Sequence, residues 1–144
     1  MDEIIDWRVQ EHLGRKRQNI APRPHEERTP GATLILTQGI DDCLWLFPPQ
    51  QWEELSGKLM EHTSPFQARS RLIQRRILAP AQEVEIDRLG RISIPQALRE
   101  FAHLSRECVI LGISKYIEIW NAEDYRAYLE ANKEEFAKAA EELQ

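Results

Sequence analysis

The chain has 144 residues, of which 42% are hydrophobic and 30% are charged, and its formal net charge at pH 7 is −5. This length fits one domain or two very small ones, and the composition is typical of a soluble globular protein with a real core. No apolar run approaches the roughly 20 residues of a membrane helix, and residues 1–6 lack the basic start of a signal peptide, so we expect a cytoplasmic protein that does not contact membranes.

The charges are segregated along the chain, although the net charge argues against binding to nucleic acid. Basic residues concentrate in the segments 8–28 and 69–99, whereas the tail from Ile117 is acidic. Salt screens the field of a surface charge beyond about 10 Å, so the local density of basic residues decides whether a surface can bind phosphate. A second interpretation stays open, in which these charges are simply solvated faces.

Residues 1–31 have the least regular pattern. Glu11, Gly14 and Arg15 are followed by Lys16–Asn19, a wholly polar run, and three prolines then break up any regular element. The segment is either a degraded pair of strands or a mobile basic arm.

The next segment predicts a hairpin and two helices. Leu34–Leu36 and Cys43–Phe47 are short apolar strands on either side of a turn. Helical spacing follows from Gln50 to Met60, and an amphipathic helix then starts at Pro65 and stops before Pro80. Cys43 is expected to be a reduced core residue, as is Cys108 further along.

The most informative stretch is Val84–Pro95, because apolar and polar residues alternate on both sides of a turn signal. Gly90 supplies backbone freedom for a tight bend, while Asp87 and Arg91 bracket it with opposite charges. Pro95 then ends the second strand and opens a helix at 96–101.

The second half repeats the order of the first. Residues 108–112 and 116–120 predict another hairpin, and Asn121 is a credible N-cap for a helix that carries aromatic residues as far as Phe136. Gly14 and Gly90 are 76 positions apart, and Trp52 and Tyr125 are 73 apart. Such a nearly constant offset indicates an internal duplication.

These residues resemble a known family. The second half, residues 84–120, resembles the SpoVT-AbrB DNA-binding module, and the whole chain is similar to the MraZ family of bacterial transcriptional regulators, which carries two such modules in tandem. The resemblance rests on the tandem order and on the motifs Asp87-x-x-Gly90-Arg91-Ile92-x-Ile94-Pro95, Gly39-Ile40-Asp41-x-Cys43-Leu44-Trp45-Leu46-Phe47-Pro48 and Glu118-Ile119-Trp120.

The resemblance implies an α+β fold in which the two modules form a duplicated swapped-hairpin, double-psi-like β-barrel with connecting helices and a C-terminal helix. It divides the chain into a first repeat with a degenerate motif at 5–50, connecting helices at 51–80, a second repeat at 81–124 and a helical tail at 125–144.

The resemblance also implies a function. The chain is expected to bind repeated sites in the promoter of its own operon, in the division and cell-wall gene cluster, as a ring-like homo-oligomer and repressor associated with the nucleoid. The family's D-x-x-x-R element falls on Asp87 and Arg91 and, less closely, on Glu11 and Arg15. Relaxed selection or a shifted reading frame could each explain the altered first copy.

We expect Arg91 and Arg88 to contact DNA, with Asp87 orienting Arg91 or capping the turn. The alternative is that Asp87 and Arg91 form an internal ion pair that locks the turn, and both roles can hold together. The remaining residues assigned to the site are Arg15, Lys16 and Arg17 as phosphate contacts, and Gly90, Glu11 and Gly14 as turn support.

Other functions fit the sequence less well. The four histidines lack paired ligand spacing, so no metal, cofactor or small-molecule substrate is expected. Asp87–Gly90 lacks the Asp-Thr/Ser-Gly signature of aspartic proteases, which argues against an enzyme. Four arginines lie on the helix between the modules, and we expect them to face solvent or to contact other subunits: Arg69, Arg71, Arg75 and Arg76. The rival to a repressor is an oligomeric assembly or adaptor protein whose DNA site has decayed.

Overall fold

The computed structural model describes residues 32–143 in full and residues 3–6 by their backbone. The strands are β1 (Glu3–Asp6), β2 (Thr33–Gln38), β3 (Leu44–Phe47), β4 (Gln82–Glu85), β5 (Arg91–Ile94), β6 (Cys108–Ile113) and β7 (Tyr116–Asn121). The helices are α1 (Pro49–Glu61), α2 (Ala68–Ile73), α3 (Gln96–Phe101), α4 (Ala122–Ala131) and α5 (Lys133–Glu142), and a π-helical turn, Gln74–Leu78, follows α2. Within the described ranges, no helix is long and apolar enough to cross a membrane.

Five strands form an antiparallel sheet in the order β4-β2-β3-β7-β6, while β1 pairs with β5 in a second, two-stranded sheet. The predicted hairpins are both present, β2 with β3 and β6 with β7. The two hairpins lie far apart in the sequence, yet β3 of the first pairs directly with β7 of the second. The two halves therefore share one continuous sheet.

The pairing of β3 with β7 reveals the internal duplication in three dimensions. Trp45 lies opposite Glu118, 73 positions later, with Leu44 opposite Ile119 and Leu46 opposite Ile117. The second strand of the first hairpin therefore pairs with the second strand of the other hairpin. The offset of 73 positions between Trp45 and Glu118 is the same as that between Trp52 and Tyr125 in the sequence.

Alternation along the strands divides the apolar residues between the two faces of the five-stranded sheet. The first cluster is aliphatic and includes Leu34, Leu36, Leu44, Leu46, Ile86, Ile92, Ile94, Leu98, Ile110, Ile117 and Ile119. The second is aromatic-rich and includes Ile35, Cys43, Trp45, Phe47, Ile77, Val109 and Trp120, with Trp52 and Tyr125 packed against it. Helices α1 and α4 cover the second face through these last two aromatic rings.

Several elements differ from the sequence predictions. Strand β1 lies within a segment that had no regular pattern, and the predicted helix from Pro65 begins only at Ala68 and widens into the π-helical turn. There the buried Thr37 hydroxyl donates to the carbonyl of Ile77 at 2.6 Å, which ties the turn to the sheet. The sequence predicts a single C-terminal helix, but the structure has two helices that meet at Asn132.

Other predictions are confirmed. The class is mixed α+β, both cysteines are buried, and Asn121 caps α4 by accepting a bond from the Asp124 backbone N–H at 2.9 Å. The closed swapped-hairpin barrel and the four domain boundaries stay predictions.

We expect Gly39→Ala to lower the free energy of unfolding by roughly 1–3 kcal/mol, as overpacking of a filled core does. A Cβ atom there would lie 2.8 Å from Trp45 Nε1 and 2.9 Å from Cys43 Sγ, and both side chains are buried. Chemical denaturation measures the change.

Gly57→Ala is the matched control, because a Cβ atom at Gly57 meets nothing within 4 Å. Gly57 lies inside α1, so alanine should raise stability by about 0.5–1 kcal/mol through its helix propensity. Equal effects of the two substitutions would contradict the packing argument.

Candidate nucleic-acid interface

The turn between β4 and β5 is closed by its own backbone. The Asp87 N–H donates to the Arg91 carbonyl at 2.8 Å, and the Gly90 N–H donates to the Asp87 carbonyl at 3.0 Å. Gly90 has φ +78°, a left-handed conformation that glycine adopts without steric cost. The glycine that the sequence predicted for this bend is therefore required by the backbone.

The Asp87 carboxylate organises the same turn from inside. One oxygen, Oδ1, accepts from the backbone N–H groups of Leu89 at 2.9 Å and Arg91 at 2.8 Å, and the other, Oδ2, accepts from Arg91 Nε at 2.9 Å. The internal ion pair is therefore present, and Asp87 both caps the turn and orients Arg91.

These hydrogen bonds change the acidity of Asp87. The backbone hydrogen bond from Arg91 is the largest cause that lowers its pKa below the ordinary value of 3.8, aided by the Arg91 side chain, the Leu89 N–H and the Arg91 charge, while partial burial opposes them. The carboxylate is ionised at neutral pH, and the lowered pKa keeps it ionised further into the acidic range, where it still holds Arg91 through a charge-assisted bond.

Arg91 keeps donors for a partner. Its bond to Asp87 uses Nε, so the two terminal NH₂ groups of the guanidinium remain available within the described part of the molecule, and 35% of its side chain is exposed. Arg88 is exposed in the same turn, next to the half-exposed Leu89. The turn thus presents two cations to solvent, one held in place and one projecting.

Buried isoleucines anchor the chain on both sides of this turn. Ile86 precedes it, and Ile92 and Ile94 follow it, each with at most 1% of its surface exposed. The backbone of β5 also pairs with β1, where Asp6 is in register with Arg91. Because both ends of the turn are anchored, the arginines are presented from a rigid support.

The first copy of the motif cannot be placed in the same way. Its residues Glu11, Gly14, Arg15, Lys16 and Arg17 lie outside the described residues. Trp7, His12 and His25 lie there too.

The sequence predicts that Arg76 faces solvent or contacts another subunit, but in the structure it binds backbone carbonyls of its own subunit. Its guanidinium donates to the carbonyls of Gly39 at 3.0 Å, Ile40 at 2.8 Å and Asp41 at 3.3 Å, and it lies 4.6 Å from the centre of the Phe101 ring. Arg76 is therefore a clamp on the first hairpin turn. Nothing local in the sequence signals this, because the carbonyls lie 35 to 37 positions away.

The described tryptophans lie in or against the core, and His103 lies beside a carboxylate. Trp45 and Trp120 are buried core residues, as predicted, and Trp52 packs partly buried against them. His103 Nδ1 lies 3.0 Å from Asp124 Oδ2. Within residues 32–143, no group of three or more His, Cys, Asp or Glu side chains could hold a metal ion.

Comparison with known proteins identifies the relatives of this chain. A family model described as "MraZ protein, putative antitoxin-like" matches residues 21–76 and 77–144. A protein of Treponema denticola is 43% identical over 131 residues, which cover 91% of each chain. A protein of Treponema pallidum (strain Nichols) is 48% identical over 111 residues, covering 77% of this chain and 74% of the relative. One from Saccharopolyspora erythraea is 41% identical over 111 residues, covering 76% of each. All three are named "Transcriptional regulator MraZ".

We expect the stabilising contribution of Asp87 to depend on pH. Because its pKa is lowered on folding, the contribution is complete above the unfolded value near 3.8 and is lost as the pH falls through the folded value. The stability difference between the parent and Asp87→Asn should therefore be constant at neutral and mildly acidic pH and shrink below about pH 4. Urea denaturation across this range measures it, and a difference that does not change with pH would contradict the argument.

Proposed function

Because this chain belongs to the MraZ family, we propose that it is a DNA-binding transcriptional regulator that uses the Asp87–Arg91 turn to contact DNA. The observation that carries this proposal is the turn itself, in which a carboxylate fixes one arginine beside a second, exposed one. The family is one of transcriptional regulators, not of enzymes.

The chemistry of the turn suits a nucleic acid. A guanidinium presents a planar fork of donors that can bind phosphate or read guanine through two bonds. Asp87 holds Nε of Arg91 and leaves both terminal NH₂ groups without a partner among the described residues, so less side-chain freedom is lost on binding. We assign base or phosphate contact to Arg91 and phosphate contact to Arg88.

Arg15, Lys16 and Arg17 are assigned the role of phosphate contacts that position the protein. Glu11 and Gly14 would support the corresponding turn, as Asp87 and Gly90 do in the second copy. The altered first copy makes the second copy the main contact in each subunit.

The finer role is repression of the division and cell-wall gene cluster from the protein's own promoter, in the cytoplasm and at the nucleoid. Binding to repeated sites as a ring-like homo-oligomer would compensate for one weak module, because linked sites raise the effective concentration of each further contact. The closed barrel belongs to this proposal. Two observations support it, the continuous sheet shared by both halves and the pairing of β1 with β5.

The alternative, an assembly or adaptor protein with a decayed DNA site, is favoured by one observation. Phe136 and Leu143 in the C-terminal helix region are 73% and 88% exposed, as at surfaces that bind other proteins. DNA binding by the parent separates the two functions.

We expect Arg91→Ala to weaken binding to promoter DNA by roughly 5- to 150-fold, as the loss of a base contact worth about 1–3 kcal/mol does. Arg88→Ala should weaken binding to all sequences alike and reduce the salt slope by about one unit. A gel-shift at two salt concentrations, with DNA upstream of the protein's own gene, measures both.

Arg106→Ala is the matched control, since Arg106 is an exposed arginine outside the turn. If Arg91→Ala bound as tightly as the parent and with the same salt slope, the assignment of the turn would be wrong. Arg15→Ala in the same assay reports on the first copy. An equal loss would show that both copies bind, and no loss would confine binding to the second.

A further inference from the structure

We propose that the acidic C-terminal helices of one subunit dock on the arginine-bearing connector of a second copy, head to tail. The connector is residues 62–80, which contain α2 and the π-helical turn, and the tail surface is formed by α4 and α5. The proposal extends the oligomer of the proposed function by naming both of its contacting surfaces.

The tail surface has an apolar stripe that the subunit does not cover. Leu129 of α4 and Phe136 of α5 line the same cleft between the two helices, and Leu143 follows Phe136 by seven residues, just past the end of α5. All three are exposed, Phe136 to 73% and Leu143 to 88%. A row of large exposed apolar side chains on a charged tail is typical of a protein–protein contact.

Acidic residues flank this stripe. Glu135 and Glu142 each precede one of the apolar residues and are also seven positions apart, so both lie along the same side of it. Residues 122–143 contain seven acidic residues against three basic ones. The tail surface therefore favours a basic partner.

The connector has the opposite charge and its own exposed apolar residues. Residues 62–80 contain four arginines and no acidic residue. Phe66 is 91% exposed and Leu72 is 66% exposed. Arg69, Leu72 and Arg75 are exposed at intervals of three residues, which places them along one side of the connector.

The four arginines divide into two pairs by their contacts. Arg71 donates to the carbonyl of Pro65 at 2.9 Å, and Arg76 clamps the first hairpin turn. Arg69 and Arg75 have no acidic partner among the described residues. These two are therefore the pair that a second copy can engage.

The shape of the tail surface also suits the connector. Where α4 meets α5, a cleft of about 490 Å³ is lined by Tyr128, Leu129, Asn132, Lys133, Glu135 and Phe136. In the proposed contact, the exposed Phe66 ring of a second copy enters this cleft, and an arginine approaches Glu135 at its edge, in competition with Lys138, which lies 3.8 Å from that carboxylate. The apolar contact would supply affinity, and the charges would set the register.

The charges also select the symmetry. Two tail surfaces, or two connectors, would repel each other, so a symmetric face-to-face pair is disfavoured. A head-to-tail contact between unlike surfaces repeats from subunit to subunit and closes into a ring if the rotation allows it.

Charge reversal tests the contact without DNA. We expect Arg69→Glu/Arg75→Glu, and separately Glu135→Lys/Glu142→Lys, to weaken self-association by roughly tenfold or more, because like charges then face each other. Sedimentation velocity over a range of protein concentrations measures this. Arg106→Glu/Glu107→Lys is the control, because both residues are exposed outside the two surfaces.

Recombining the reversed surfaces makes the test specific. An equimolar mixture of the two double variants should co-assemble in alternation, and the quadruple variant should recover self-association, because opposite charges face each other again. Phe136→Ser should weaken association with the charges intact. Circular dichroism and thermal unfolding confirm that each variant is folded.

Three outcomes would overturn the proposal. The double variants could associate as the parent does, or both could fail to recover association in the mixture and in the quadruple variant. The connector variant could also assemble normally but lose binding to a single-site DNA probe, which would make the connector a DNA surface. If the parent protein assembled normally but did not bind DNA, only the proposed function would be contradicted.

Discussion

The structure depends on the pairing of β3 with β7, where the two halves of the chain meet. Glu118 lies at this point and joins the halves, since its carboxylate accepts from Trp45 Nε1 at 3.2 Å and from Trp120 Nε1 at 2.9 Å. Both indoles bury their rings while their polar N–H groups keep a partner. Burial first, and then the nearby Glu118 charge, raise the pKa of the Cys43 thiol, which therefore stays protonated in the core.

The candidate DNA-binding turn uses the same device at the edge of the molecule. In both places one carboxylate accepts from more than one N–H donor, but Glu118 binds a tryptophan of its own strand and one of the neighbouring β3, whereas Asp87 bonds only within five residues. The central pairing matters for the turn because it completes the sheet in which β4 pairs with β2. A rigid sheet on one side and β1 on the other anchor the strands that enter and leave the turn.

The division of charge connects binding with assembly. The net charge of −5 would repel DNA if it were spread evenly, but the acids concentrate in the tail and the arginines in the connector and the turn. In the proposed head-to-tail contact, acidic tails neutralise connectors and leave the turns as the basic surface of the oligomer. Assembly and DNA binding would then rely on different arginines, Arg69 and Arg75 for one and Arg88 and Arg91 for the other.

The sequence by itself determined the elements whose causes are local: both hairpins, the cap at Asn121, and the turn that needs Gly90 and an Asp-Arg bracket. These rest on alternation, helical spacing or hydrogen bonds within about four residues, which a linear reading contains. Only the tertiary structure decided that β1 pairs with β5, that Arg76 clamps the first hairpin turn and that Glu118 serves two tryptophans. The Arg76 carbonyls lie 35 to 37 positions away, and Trp45 lies 73 positions from Glu118, so such partners are chosen only when the core brings the halves together.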